Sequence, residues 1–253
     1  MILALENVSK NFGGLAALSD ISFNVNAGEI VGVIGPNGAG KTTLFNLITG
    51  VFSPSSGTIR YRDKAVNGLK PHKITELGVA RTFQNIRLFG HISALENVMA
   101  GAHCRIKANL WQGLWRTKVE RKEERELRQK AKTLLQLVGI ADEENTLAAS
   151  LPYGKQRRLE IARALAAEPE VVLLDEPAAG MNESETEDLH GLIKEIQKLG
   201  KAVVLIEHDM NLMMNLCDRL VVLNFGKKIS EGTPDVVREN AEVIEAYLGK
   251  EEE

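Results

Sequence analysis

Two rhythms of apolar and polar positions run along the chain. Residues 1–34 read as short strands: ILALENVSKNF and LAALSDISFNV alternate loosely, and GEIVGVIG is a brief apolar run stopped by glycine. KTTLFNLITG (41–50) takes a helical rhythm with Gly50 as its stop, and SPSSGTIRYRDKAV reads as a turn and a strand. Over 116–138, RTKVERKEERELRQKAKTLLQLV is helical, almost all charge at first and then apolar, as in a solvated helix whose end docks on a core. Further on the alternation becomes regular. A helix over 155–167 runs into Pro169, followed by the apolar strand VVLLDE, a helix over 183–199, the apolar strand KAVVLIEHD, a helix over 209–217 and the strand DRLVVLNFGKKI. Thr233-Pro234-Asp235 predicts a helix start, with Thr as cap and Pro at the first position. That helix runs to Gly249 and leaves EEE as a solvated tail. Apolar strands alternating with helices imply an α/β fold with a mostly parallel sheet covered on both faces.

Composition narrows this only a little. A chain of 253 residues, 44% hydrophobic, suits one large α/β domain or a domain with an embedded subdomain. A formal charge of −3 speaks against a nucleic-acid partner. No apolar run reaches the ~18 residues of a membrane span. The N-terminus lacks a signal peptide's basic start and long apolar stretch. The expectation is a soluble, cytoplasmic chain that meets a membrane only through partners. Cys104 and Cys217 form no CxxC pair and read as plain thiols in a reducing compartment. Trp111 and Trp115, four apart, share a face if their segment is helical; core packing is the ordinary reading and a partner or membrane contact the alternative.

The chemistry concentrates where apolar strands end. Gly35-Pro36-Asn37-Gly38-Ala39-Gly40-Lys41-Thr42 fits GxxxxGK[ST] without departure, between an apolar strand and a helix. The glycines let backbone N–H groups converge on phosphate oxygens, Lys41 adds a point charge at the β- and γ-phosphates, and the Thr42 hydroxyl can ligate Mg²⁺. The following helix brings its positive end. The motif implies ATP binding. In VVLLDE, Asp175 and Glu176 sit at the C-terminal end of a buried strand, where α/β sheets bind ligands. Beside a phosphate loop they read as a Walker B element: Asp175 holds Mg²⁺, and Glu176 orients or deprotonates the attacking water. His208 ends another apolar strand, on the side expected for the γ-phosphate.

The order GPNGAGKTT, TFQ, LPYGKQRRLEIARAL, VVLLDEP, IEHD resembles the nucleotide-binding subunit of an ABC transporter over nearly the whole chain. The resemblance implies an ABC-type P-loop fold with an N-terminal antiparallel β part and an inserted helical subdomain. The nucleotide-binding core would comprise 1–85 and 155–253, and the helical subdomain with the signature loop 86–154. It implies that Gln84 joins Thr42 and Asp175 at Mg²⁺, that Thr43 joins the ATP-binding loop, and that Phe12 stacks on adenine. Residues 178–182 (AAGMN) would be the D-loop. It also implies a head-to-tail pair of ATPase chains in which Leu151, Pro152, Tyr153, Gly154, Lys155 and Gln156 act on the partner's ATP. The usual signature is LSGGQ; here Pro152 supplies neither hydroxyl nor N–H. Losing one hydrogen bond to a charged group costs the closed dimer roughly 1.5–3 kcal/mol, and Lys155 adds positive charge nearby.

FGGLAAL, TFQNIRLF, the tyrosine-containing signature followed by RRLEIARAL, DEPAAGMN and the terminal EAYLG are similar to one branch, the ATPases of branched-chain amino acid importers. The charged segment near 105–130 matches the longer of that system's two ATPase subunits. Urea and other amide importers share these motifs, and the lipopolysaccharide exporter ATPase resembles them more distantly. The implied partners are membrane permeases, a second ATPase chain and, indirectly, a substrate-binding protein, at the cytoplasmic face of the inner membrane. DNA-repair relatives carry long coiled-coil insertions between the glutamine loop and the signature, where this chain has only 85–150; translation relatives carry two ATPase units.

Overall fold

The computed structural model describes residues 1–105 and 118–248. Trp111, Trp115 and the EEE terminus lie outside the described residues. Two compact units emerge from contacts along the chain, Met1–Arg81 with Glu170–Glu253, and Thr82–Pro169. The divisions at 81/82 and 169/170 differ from the 85/86 and 154/155 expected from the resemblance, and they put the whole helix that begins in the signature stretch in the second unit.

The first unit holds two sheets. β1 (Leu3–Phe12), β2 (Leu15–Val25), β4 (Ser56–Tyr61) and β5 (Lys64–Ala65) form an antiparallel sheet of order β2-β1-β4-β5. β3 (Ile30–Ile34), β6 (Val79–Arg81), β7 (Val171–Asp175), β8 (Ala202–Ile206), β9 (Arg219–Asn224) and β10 (Lys227–Gly232) form the second, of order β10-β9-β3-β8-β7-β6. It is parallel except for β10 against β9. β3, β7 and β8 are buried at every position, which is why they read as unbroken apolar runs.

Alternate residues face opposite layers, as the two-residue strand period requires. Val31, Val33, Val171, Leu173, Val204, Ile206, Val221 and Leu223 join one core with the antiparallel sheet and with Phe45 and Ile48 of α1 (Lys41–Ile48). Gly32 faces the other way. A Cβ there would fall 2.5 Å from Met213 Cε and 2.8 Å from Cys217 Sγ, at and just beyond α7 (Met210–Leu216). Glycine lets that helix approach the strand. Burial pushes the Cys217 thiol up to about 12, the behaviour of a core residue.

The remaining helices of this unit are α2 (Pro71–Leu77), α6 (Glu183–Lys198), α8 (Pro234–Arg238) and α9 (Ala241–Leu248). In α6, Asn182 accepts from Glu185 N while Glu185 accepts from Asn182 N, a capping box. The single C-terminal helix expected from Thr233 to Gly249 is instead two. Pro234 opens α8, but the Thr233 side chain makes no capping bond. Asn240 breaks the rhythm and caps the restart, its Oδ1 accepting from Val243 N at 3.2 Å.

The second unit is helical. α3 (Ala94–Gly101) starts with a capping box between Ser93 and Glu96. α4 (Lys118–Leu137) carries the charged-to-apolar pattern, burying Ala131 and Leu135 near its end. α5 (Tyr153–Leu165) begins inside the stretch expected to be the signature loop, so that Tyr153 to Gln156 form its first turn rather than a loop. α3 meets α5 closely at Gly101, where a Cβ would stand 2.2 Å from Arg163 O. Among the described residues no helix is long and apolar enough to cross a membrane.

Candidate functional site

β3 delivers the chain into the loop at Gly35. Gly35 has φ 148°, and a Cβ there would lie 2.0 Å from Leu223 O, so nothing larger fits between the loop and β9. Gly38 (φ 81°) and Gly40 (φ 101°) are also left-handed. Ala39 O accepts from Gly226 N at 3.1 Å, pinning the loop to the β9–β10 turn. Gly40 stands at the N-cap of α1, and no side-chain capping bond or first-turn acid blocks that end. The first N–H groups of α1, with exposed Thr42 and partly exposed Thr43, therefore lie open to an anion. Pro36 and Asn37 carry the loop between these glycines.

Lys41 is buried and folds over its own loop, donating to Gly35 O at 2.6 Å and Pro36 O at 3.0 Å. Burial lowers its ammonium from the ordinary value, while Glu176 and Asp175 pull it back up.

Asp175 ends β7, buried, and receives Arg81 Nη2 at 2.7 Å. Glu176 follows at φ 49°, a costly conformation for a residue with a Cβ, and its N–H donates to Ile206 O at 2.9 Å. That bond turns the carboxylate off the end of the sheet next to β8, and His208 Nε2 lies 2.8 Å from Glu176 Oε1. The two candidate catalytic groups thus already touch. Beside His208 is Glu207, 6% exposed, accepting from Ala178 N at 2.6 Å and His208 N at 3.2 Å. Burial pushes the Glu207 carboxyl up against the pull of those two amides. Glu207 ties the start of the AAGMN segment to the histidine loop.

Phe12 is 42% exposed and meets Phe52 edge-on with ring centroids 5.1 Å apart, with Lys10 Nζ 5.0 Å from its centroid. It is an open ring, able to stack on a base, rather than a core aromatic. Burial pushes the Tyr247 hydroxyl of α9 up, and the Gly35 backbone beside it pulls the other way. Tyr247 therefore lies beside the root of the phosphate loop.

In the second unit, exposed Gln84 follows Phe83, and both present backbone carbonyls to Arg157 of α5. Arg157, fully buried, donates from Nη1 to Phe83 O and from Nη2 to Gln84 O, each at 2.6 Å, and from Nη2 to Tyr153 Oη at 3.0 Å. Glu160 pairs with it at 3.1 Å and accepts from Phe83 N and Arg87 N at 3.3 and 3.4 Å. The signature helix and the glutamine loop are thus one buried hydrogen-bonded assembly. Leu151 is buried, Pro152 occupies the N-cap of α5, Gly154 is buried, and Gln156 Nε2 donates to Leu151 O at 2.8 Å. Lys155, expected to add positive charge near the signature, pairs with Glu143 at 2.5 Å.

The first unit's loop, helix end and strand-end carboxylates can grip a polyphosphate and hold a hard cation. The Thr42 hydroxyl and the Asp175 carboxylate are the oxygen donors that Mg²⁺ takes beside phosphates and water. Among the described residues no group of three or more His, Cys, Asp or Glu could hold a metal by itself. Arg81, Glu207, Arg157, Glu160 and Tyr247 carry no role in the sequence reading. Only Arg157 left a trace there: it shares a helix face with Gly154 and Ile161, a charge on an otherwise apolar stripe.

Residues 18–179 match the family model described as ABC transporter, and 227–253 match that of the branched-chain amino acid ATP-binding cassette transporter. The chain is 44% identical to the high-affinity branched-chain amino acid transport ATP-binding protein LivG of Salmonella typhimurium, covering 98% of each. A solved ATP-binding cassette of an ABC transporter in its ADP conformation superposes with a TM-score of 0.85 at 32% identity, over 98% of this chain and 99% of that one. A dimeric cassette in a post-hydrolysis state, bound to ADP and Pi, gives 0.78 at 27% identity, over 92% and 99%.

Proposed function

Because this chain belongs to the ABC transporter ATP-binding family, and is an ATPase of the kind that drives transport, we propose that it powers a branched-chain amino acid importer. The observation that carries this is the 44% identity to LivG over 98% of both chains, joined by the match of 227–253 to the branched-chain family model.

In this reading Gly35 to Gly40 wrap the phosphates, Lys41 moves from its own loop carbonyls to the β- and γ-phosphates, and Thr42 and Thr43 meet them at the helix end. Phe12 stacks on adenine. Thr42 and Asp175 would hold Mg²⁺, which when bound neutralises phosphate charge. Glu176 orients or deprotonates the attacking water, and His208, in contact with it, faces the γ-phosphate. Leu151 to Gln156 act on the ATP of a second ATPase chain, and the pair works beneath membrane permeases fed by a substrate-binding protein. The chain then sits peripherally at the cytoplasmic face of the inner membrane. Support for the roles lies in the chemistry: an open helix end, a buried carboxylate, and a strained glutamate touching a histidine.

The test is purification of the tagged chain from native membranes, with leucine uptake measured in vesicles. Two permeases and a second ATPase should accompany it, and Glu176→Gln should stop uptake and hydrolysis while ATP stays bound. Co-purification with ribosomes or repair proteins, or uptake surviving Glu176→Gln, overturns the reading.

A further inference from the structure

Arg81 is the last residue of β6, in register with Leu173 on β7. Its guanidinium is held on several sides. Nη2 donates to Asp175 Oδ2 at 2.7 Å, and Nη1 to Asn46 Oδ1 at 2.7 Å and Thr49 Oγ1 at 3.3 Å, both on or just beyond the end of α1. The Phe45 ring lies 5.5 Å from its centre. The Arg81 and Asp175 side chains are 5% and 3% exposed. A buried ion pair this well anchored holds its carboxylate strongly, because water cannot take either partner's place.

Asp175 is also the carboxylate assigned to Mg²⁺, and the inference rests on that assignment. One carboxylate then answers to two cations. From this geometry we infer that Arg81 is a positioning residue acting as an internal counterion, competing with Mg²⁺ for Asp175 and so setting how much Mg²⁺ nucleotide binding requires. Without nucleotide, Arg81 holds the Asp175 carboxylate turned toward α1. When Mg²⁺ arrives with ATP it meets a carboxylate whose charge is already shared, so its binding is weakened by the strength of that pairing. Arginine suits the role because its fork reaches Asn46 and Asp175 together, which a lysine point charge cannot reproduce. A residue that only braced the fold would have no reason to weaken metal binding.

The test is ATP affinity of the isolated chain as a function of free Mg²⁺, with the unfolding temperature in EDTA as a second readout. Arg81→Met should lower the half-saturating Mg²⁺ roughly tenfold, the equivalent of about 1.4 kcal/mol, while lowering the unfolding temperature in EDTA because Asp175 loses its counterion. Addition of Mg²⁺ and ATP should recover more of that loss than the gain they give the native protein. Arg81→Lys should shift the Mg²⁺ midpoint the same way by less, and it carries the test if the methionine variant does not fold. An unchanged or raised midpoint in the folded variant overturns the inference. Asp175→Asn separates the two assignments. If it leaves the Mg²⁺ dependence intact, Asp175 is no metal ligand and both fall; if it abolishes that dependence while the Arg81 variants do not shift it, only the role of Arg81 falls.

Discussion

Replacing Arg157 by methionine removes the donor that holds the glutamine loop to the signature helix. Two bonds of 2.6 Å to Phe83 O and Gln84 O disappear, and Glu160, 1% exposed, keeps only the longer contacts to Phe83 N and Arg87 N. Breaking a buried pair from one side costs about 3–5 kcal/mol, because the remaining charge stays buried without its counterion. For a chain of this size that amounts to a fall of roughly 6–20 °C in unfolding temperature, at about 2–4 °C per kcal/mol. The double change Arg157→Met with Glu160→Leu removes both charges and should cost less than the single one, giving a favourable coupling of roughly 2 kcal/mol in a double-mutant cycle. Thermal unfolding measures the cycle, and hydrogen exchange at the Phe83 and Arg87 amides reports the loop. In the single variant those amides should exchange faster than in the native chain. A single-variant cost under about 1 kcal/mol, or a double variant equal to the sum of the singles, refutes the argument that this pair holds the loop.

The remaining predictions concern the loop, the signature and pH. Gly35→Ala should abolish ATP binding or folding, since its Cβ would stand 2.0 Å from Leu223 O, whereas Gly38→Ala, with nothing within 4 Å, should fold at a cost of about 1–2 kcal/mol for the left-handed backbone alone; equal losses by circular dichroism and nucleotide titration would contradict this. Pro152→Ser should tighten ATP-driven dimerisation in a Glu176→Gln background, because Pro152 stands at the N-cap of α5, where serine both caps the helix, by about 1 kcal/mol, and returns the missing hydroxyl; an unchanged dimer midpoint by light scattering counts against it. Glu170, 2.5 Å from Arg62 and accepting from Tyr61 Oη at 2.9 Å, has its carboxyl held below the ordinary value, first by Arg62. A depressed folded pKa contributes stability that is present above the unfolded value and lost as pH falls through the folded one. Glu170→Gln should therefore flatten the acid loss of stability below about pH 5, by at most about 1 kcal/mol for so exposed a pair, measured as urea midpoints.

The sequence by itself determined the elements whose cause is local. Unbroken apolar runs became β3, β7 and β8; Lys41 opened α1 behind a glycine-rich turn; and the strand-end positions put Asp175, Glu176, His208 and the glycine-rich loop at the C-terminal ends of neighbouring strands. Those features follow from periods of two and 3.6 residues and from glycine's freedom at positive φ, which neighbours in sequence decide. Boundaries set by one side chain were less legible, as where Asn240 divided the last helix. Only the tertiary structure decided which distant charges meet. Arg81 reaches Asp175 across 94 positions and Arg157 reaches Gln84 across 73. Lys155 meets Glu143 across 12 positions. Each of these side chains is an ordinary charged residue in the linear chain. What each does depends on which opposite charge or carbonyl the packed core leaves within about 3 Å, in surroundings where burial makes an unpaired charge too costly to keep.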